Sequence, residues 1–177
     1  MKATTISLLT LGIFTAGSTQ AMELVSRDIQ EGHPMAKKFE YQGWGCDGDN
    51  ISPQLMWKDV PKGTKSFAVT VYDPDAPTGS GFWHWVAFDI PSKMTELEQS
   101  VDISKLGGKE VRIDYGSKGF GGVCPPKGHG MHRYQFTLWA LPKATLGLDE
   151  NTSPAVVGFT LNSIAIDKAT LTATYTR

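Results

Sequence analysis

Ser66-Phe67-Ala68-Val69-Thr70-Val71-Tyr72, preceded by Pro61-Lys62-Gly63 and followed at once by Asp73-Pro74-Asp75-Ala76-Pro77, decides how this chain is organised. β-Branched and aromatic residues dominate the seven and turn-forming residues bound them, so they read as a strand. Residues 83–90, Trp-His-Trp-Val-Ala-Phe-Asp-Ile, repeat the pattern and stop at Pro91. Between the two lies Pro77-Thr78-Gly79-Ser80-Gly81, a short glycine-rich connection of the hairpin kind. Further out, residues 131–141 form the longest strand candidate and 171–175 a C-terminal one, with weaker candidates at 23–27 and 110–115. The one good helix signal is Thr152-Ser153-Pro154, a hydroxyl N-cap before a first-turn proline, leading into Ala155, Val156, Phe159 and Ile164. Strands predominate, which predicts a mainly β, antiparallel fold with one or two peripheral helices.

Side chains alternate faces along a strand. On that rule His84, Val86, Phe88 and Ile90 share one face of the second strand, with Trp83 and Trp85 on the other. His132, Tyr134, Phe136 and Leu138 share a face of the long strand. Each histidine stands at a strand entrance beside a proline-stiffened loop: residues 73–77 in one case, Cys124-Pro125-Pro126-Lys127-Gly128 in the other. An acid, two imidazoles and a phenol on such junctions point to a small polar pocket.

The N-terminus carries Lys2, an apolar run from Ile6 to Phe14, then small and polar residues closing on Thr19-Gln20-Ala21. This is the grammar of a secretory signal, with an apolar part too short to span a bilayer. The expectation is a signal peptide over residues 1–21, cleaved near Ala21, and a single domain over 22–177 that is periplasmic or secreted. No other stretch is long and apolar enough for a membrane helix. Without the leader the formal charge moves from −1 to −2, which offers no electrostatic footprint for nucleic acid. Hydrophobic residues make up 40% of the chain, enough to build a core at this length.

Cys46 and Cys124 are the only cysteines. In an exported chain a disulfide between them is the first reading, ahead of two inert thiols or a metal pair. Closing a loop of nearly eighty residues would stabilise the fold by about 4–5 kcal/mol on the chain-entropy model.

Other chemistries are weighed against their structural alternatives. His129 and His132, three apart on or near a strand, are expected to face opposite sides, and no Cys-x-x-Cys or His-x-x-x-His clip is present, so no metal is predicted. Gly43-Trp44-Gly45-Cys46-Asp47-Gly48 matches a dinucleotide fingerprint in letters only, because Asn50-Ile51-Ser52-Pro53 follows where a helix should open; it reads as a turn that places Cys46, and no cofactor is expected. No G-x-S-x-G elbow exists. Ser80 reads as a turn residue, although a Ser80-His84-Asp73 assembly, or a water activated by an Asp73-His84 pair, stays open as a hydrolase reading. The remaining reading is a binding site in which imidazole and backbone N–H groups surround a phosphate-sized anion while Asp73 accepts from a ligand amine or orients a histidine.

Asp73-Pro74-Asp75-Ala76-Pro77 with Trp83-His84, then Cys124-Pro125-Pro126-Lys127-Gly128-x-Gly130-x-His132-Arg133-Tyr134, resembles the phosphatidylethanolamine-binding protein family, in the pattern of its exported bacterial, Raf-kinase-inhibitor-like branch. The likeness extends to Asn50-x-Ser52-Pro53 and to the helix opening at Pro154. It implies a Greek-key β fold with a large antiparallel sheet and a smaller second sheet, and a pocket for phosphate-like anions or phosphorylated head groups. Carried over by position, that pocket is Asp73, Pro77, His84, Cys124, His132 and Tyr134, with Cys124 standing where eukaryotic relatives have a glycine whose backbone N–H contributes. The chain departs from those relatives in flanking a single His84 with Trp83 and Trp85. The resemblance also implies a homodimer; a protein target of inhibition is the partner expected on a separate, surface-acting reading, and the chain is not expected to be an enzyme. Fold and pocket leave the biological role open, including a surface-acting inhibitor whose pocket is a relic.

Overall fold

The computed structural model describes residues 20–177. The leader expected over residues 1–21 lies almost wholly outside them.

The first two predicted strands pair antiparallel as β5 (Ser66–Asp73) and β6 (Phe82–Pro91). The long strand, β9 (His132–Leu141), returns from far along the chain to pair with the other edge of β5, and β10 (Asp167–Tyr175) pairs with β9. With β8 (Lys109–Glu110) on the outside of β6, the large sheet runs β10-β9-β5-β6-β8. A second sheet, β1 (Glu23–Val25), β4 (Leu55–Lys58) and β7 (Glu96–Leu97), runs β1-β4-β7. The residual strands, β2 (Gln42–Gly43) and β3 (Cys46–Asp47), make a small hairpin with Trp44 and Gly45 at its tip.

The large sheet is covered on both faces. One face packs Phe67, Val69, Val71, Tyr134, Phe136 and Leu138 against Leu24, Leu55, Trp57 and Leu97 of the second sheet. The other packs Ala68, Val86, Phe88, Trp139 and Leu141 against Val157 and Leu161 of α1 (Pro154–Ile164). The helix begins where the sequence places it, with the Ser153 hydroxyl accepting from the Val156 N–H.

Three expectations shift. The weak strand at 110–115 shrinks to Lys109–Glu110 plus an isolated bridge at Arg112, because Asp114 and Gly116 turn the chain instead. β4 and β7 carry no strong strand pattern and form because they pair with each other and with β1. The third shift concerns faces. On β5, residues 67, 69, 71 and 73 point to one side; their partners on β6 are Ile90, Ala87, Trp85 and Phe82. Two extra residues have entered β6, one at each end, as bulges. Val86 and Phe88 therefore face α1, while Ile90 and Trp85 face the main core, overturning the simple alternation. Asp89, at φ 57°, absorbs the first bulge. His84 occupies the second.

Candidate functional site

The second bulge delivers the His84 ring to the same side as Trp85 and Tyr134, with ring centroids 5.1 Å apart between His84 and Tyr134. On β9 strict alternation holds, so His132 and Tyr134 face that side without irregularity. Asp73 ends β5 between them. The loop at residues 74–81 and the Cys124-Pro125-Pro126 segment close the flanks. All six residues expected from the sequence, Asp73, Pro77, His84, Cys124, His132 and Tyr134, line one pocket of about 170 Å³.

Asp73 and His132 are both buried, and Oδ2 of Asp73 accepts from Nδ1 of His132 at 2.6 Å. The other carboxylate oxygen accepts from the Asp75 N–H at 2.8 Å. Nε2 of His132 meets Nδ1 of exposed His129 at 2.8 Å, so a carboxylate–imidazole–imidazole chain runs from the interior to the surface. This corrects the expectation that His129 and His132 face apart: His129 lies in the turn before β9, where strand alternation does not apply. Among the described residues no three His, Cys, Asp or Glu side chains are placed to hold a metal ion.

His84 has different partners. Its Nδ1 donates to the carbonyl oxygens of Gly121 at 2.9 Å and Gly122 at 3.1 Å. Burial lowers its pKa below the ordinary histidine value, favouring the neutral ring. Asp73 is thus hydrogen-bonded to His132 and not to His84, and Ser80 sits outside the pocket with its carbonyl accepting from Tyr72. The Asp73-His84 pair and the Ser80-His84-Asp73 set on which a hydrolase reading rests are not assembled.

Tyr134 is fully buried and its hydroxyl makes no hydrogen bond within the protein. Burial raises its pKa, Asp73 raises it further, and the nearby Cys124 backbone N–H offsets only part of the rise, so the phenol keeps its proton. A buried hydroxyl left without a partner is costly, about 1–3 kcal/mol.

The Cys46–Cys124 disulfide is present, with Cα atoms 6.1 Å apart. It ties the β2–β3 hairpin to the segment that leads into β9. The guanidinium of Arg177 packs on both sulfurs. At the rim, Arg133 grips the Asp75 carboxylate with two side-chain N–H groups, at 2.9 and 2.7 Å.

Sequence reasoning missed the aromatic wall of the pocket. Trp44, Phe82 and Tyr115 line it, with Trp44 edge-on to both of the others and 66% exposed at the mouth. The Tyr115 hydroxyl donates to Gly122 O at 3.0 Å, beside the His84 hydrogen bond. The available signal for Trp44 was its place two residues from a half-cystine in a glycine-rich turn. Tyr115 had none, because its segment reaches the pocket only by folding back across β6.

Comparison with known proteins agrees with this fold. Residues 25–176 match the family model described as phosphatidylethanolamine-binding protein. The chain is 44% identical to the UPF0098 protein YbcL of Escherichia coli over 180 residues, covering 99% of this chain and 98% of the relative. It is also 44% identical to YbhB of the same organism over 158 residues, covering 87% and 99%. The crystal structure of E. coli YbcL, described as a new member of the mammalian PEBP family, aligns with a TM-score of 0.86 at 46% identity, covering 89% of this chain and 99% of that one.

Proposed function

The chain belongs to the phosphatidylethanolamine-binding protein family, and on that premise we propose that it is an exported binding protein whose pocket receives a small phosphorylated or phosphate-like group. The observation that carries this reading is the buried, unpartnered Tyr134 hydroxyl, set among two imidazoles and a carboxylate in a pocket of about 170 Å³. That volume is well below the roughly 300 Å³ at which drug-sized sites begin, so it suits a group of head-group size and not an acyl chain. Asp73 orients His132 through Nδ1, and the Tyr134 hydroxyl supplies a donor for a ligand oxygen. Export is supported by the disulfide, which persists in oxidising compartments, together with the signal-like N-terminal sequence. No helix among the described residues is long and apolar enough to cross a membrane.

Calorimetric titration of the oxidised protein with phosphate, phosphoethanolamine and short-chain phosphatidylethanolamine tests the reading. Saturable binding of phosphate or phosphoethanolamine that is lost in His132→Ala and weakened in Tyr134→Phe is the expected result, and the phosphatidylethanolamine arm shows whether a diester is also accepted. Absence of binding, or affinity unchanged in both variants, would overturn it. Periplasmic fractionation of the full chain tests the compartment.

A further inference from the structure

His84 determines which proton a ligand must bring. Carbonyl oxygens only accept, so the contacts from Nδ1 to Gly121 O and Gly122 O, at 2.9 and 3.1 Å, place the ring hydrogen on Nδ1. Nε2 is left with a bare lone pair, and no group among the described residues bonds it.

The two carbonyls cannot readily turn away. The Gly121 N–H donates to His84 O at 2.7 Å, the Gly122 N–H donates to Oδ1 of Asn50 at 2.7 Å, and Tyr115 donates to Gly122 O at 3.0 Å. A Cβ added at Gly122 would lie 2.4 Å from the carbonyl oxygen of Phe39, so the segment is pressed against backbone behind it. The tautomer of His84 is therefore built into the fold. The charged and titratable groups around the ring are Asp73 from β5, His132 and Tyr134 from β9, and Asp114 and Tyr115 from the segment after β8. Burial outweighs the attraction of the two aspartates and keeps the ring neutral.

The pocket thus offers two kinds of polar edge. His84 Nε2 is an acceptor, while the Tyr134 hydroxyl is free to donate. Both oxygens of Asp73 already accept hydrogen bonds and supply no donor. A fully deprotonated tetrahedral anion would set an oxygen lone pair against the lone pair of Nε2. An anion that keeps one O–H can donate there and accept from Tyr134.

Resting on the anion-pocket reading above, we propose that the site selects a tetrahedral anion bearing at least one P–OH, orthophosphate or a phosphomonoester, over sulfate and over phosphodiesters, with His84 Nε2 accepting the ligand's O–H and Tyr134 donating to a bare oxygen. A site built to accept from a ligand hydroxyl rejects analogues lacking it, because its own acceptor is then left unpaired once the ligand has displaced water.

The test is a titration at about pH 6, where a phosphomonoester keeps its proton roughly half the time, using inorganic phosphate, methyl phosphate, dimethyl phosphate and sulfate at equal ionic strength. Phosphate and methyl phosphate are expected to bind at least about tenfold more tightly than dimethyl phosphate and sulfate. Sulfate binding as tightly as phosphate would overturn the selectivity while leaving the anion pocket standing; no binding by any of the four would overturn both. Imidazole ¹⁵N spectra provide a readout that needs no variant. The expected spectrum shows the Nδ1–H tautomer of His84, with the Nε2 resonance moving on addition of methyl phosphate and not of sulfate, and an Nε2–H tautomer in the free protein would overturn the proposal.

Discussion

β9 enters the pocket as an unbroken strand, while β6 enters it through a bulge, and the two histidines they carry differ accordingly. His132 sits where alternation puts it and bonds side chains: a carboxylate on one nitrogen and a second imidazole on the other. His84 is displaced by one residue and bonds backbone carbonyls through one nitrogen only. One histidine belongs to a hydrogen-bonded chain that reaches the surface. The other is locked by main chain, which fixes its tautomer and leaves one atom free. A regular strand can place a side chain, but orienting its ring takes further groups; here the bulge brings those groups from a neighbouring segment.

The largest expected effect breaks the covalent side of this contrast. The segment leading into β9 is tied down by the disulfide, whereas the loop leading into β6 is not. Replacing Cys46 and Cys124 by Ala should cost about 4–5 kcal/mol, lowering Tm by roughly 10–15 °C. Calorimetry measures this, and ring resonances of His132 should broaden more than those of His84.

Asp73→Asn removes the charged partner of His132 and leaves the carbonyl partners of His84 in place. A loss of about 1.5–3 kcal/mol is expected in denaturant unfolding, with the His84 tautomer unchanged in ¹⁵N spectra. A change at both rings would show that the two entrances are one coupled unit.

Acid provides the converse probe. The folded-state pKa of His84 lies below its ordinary value of 6.5, so the unfolded chain binds the extra proton first. The associated stability is fully present above pH 6.5 and declines as pH falls through 6.5 toward the folded-state value. Unfolding curves of His84→Gln should lose that part of the pH dependence and keep the rest.

Asp75→Ala at the rim should have the smallest effect, less than about 1 kcal/mol, because the Arg133 pair is substantially exposed. Arg133 pushes the Asp75 pKa down to about 2, so the contribution holds above the ordinary carboxylate value of 3.8 and fades as pH falls toward 2. The Tm difference between wild type and variant should be present at pH 7 and shrink as pH is lowered from 3.8 toward 2.

Much of this molecule is legible residue by residue. Ser66–Asp73 and His132–Leu141 are strands because their own β-branched and aromatic side chains favour one, and α1 starts at Pro154 because Ser153 caps it. β4 and β7 were not legible, since two- to four-residue strands exist only through pairing with partners distant in sequence. The face of Ile90 was misassigned for a related reason: a bulge is set by how two strands of unequal length are reconciled, not by either strand alone.

The chain alone specifies the strands β5, β6, β9 and β10, the helix start and the two cysteines, because propensity and capping are local properties, and the six pocket residues follow from the resemblance of its two motifs to the phosphatidylethanolamine-binding protein family. Folding was needed to set Asp73 on His132, to bring His129 back onto it, to fix the ring of His84 with Gly121 and Gly122, and to gather Trp44 and Tyr115 into the aromatic wall. Those contacts join segments separated by tens of residues, and hydrogen-bond partners at that separation follow from packing and register, which no local pattern encodes.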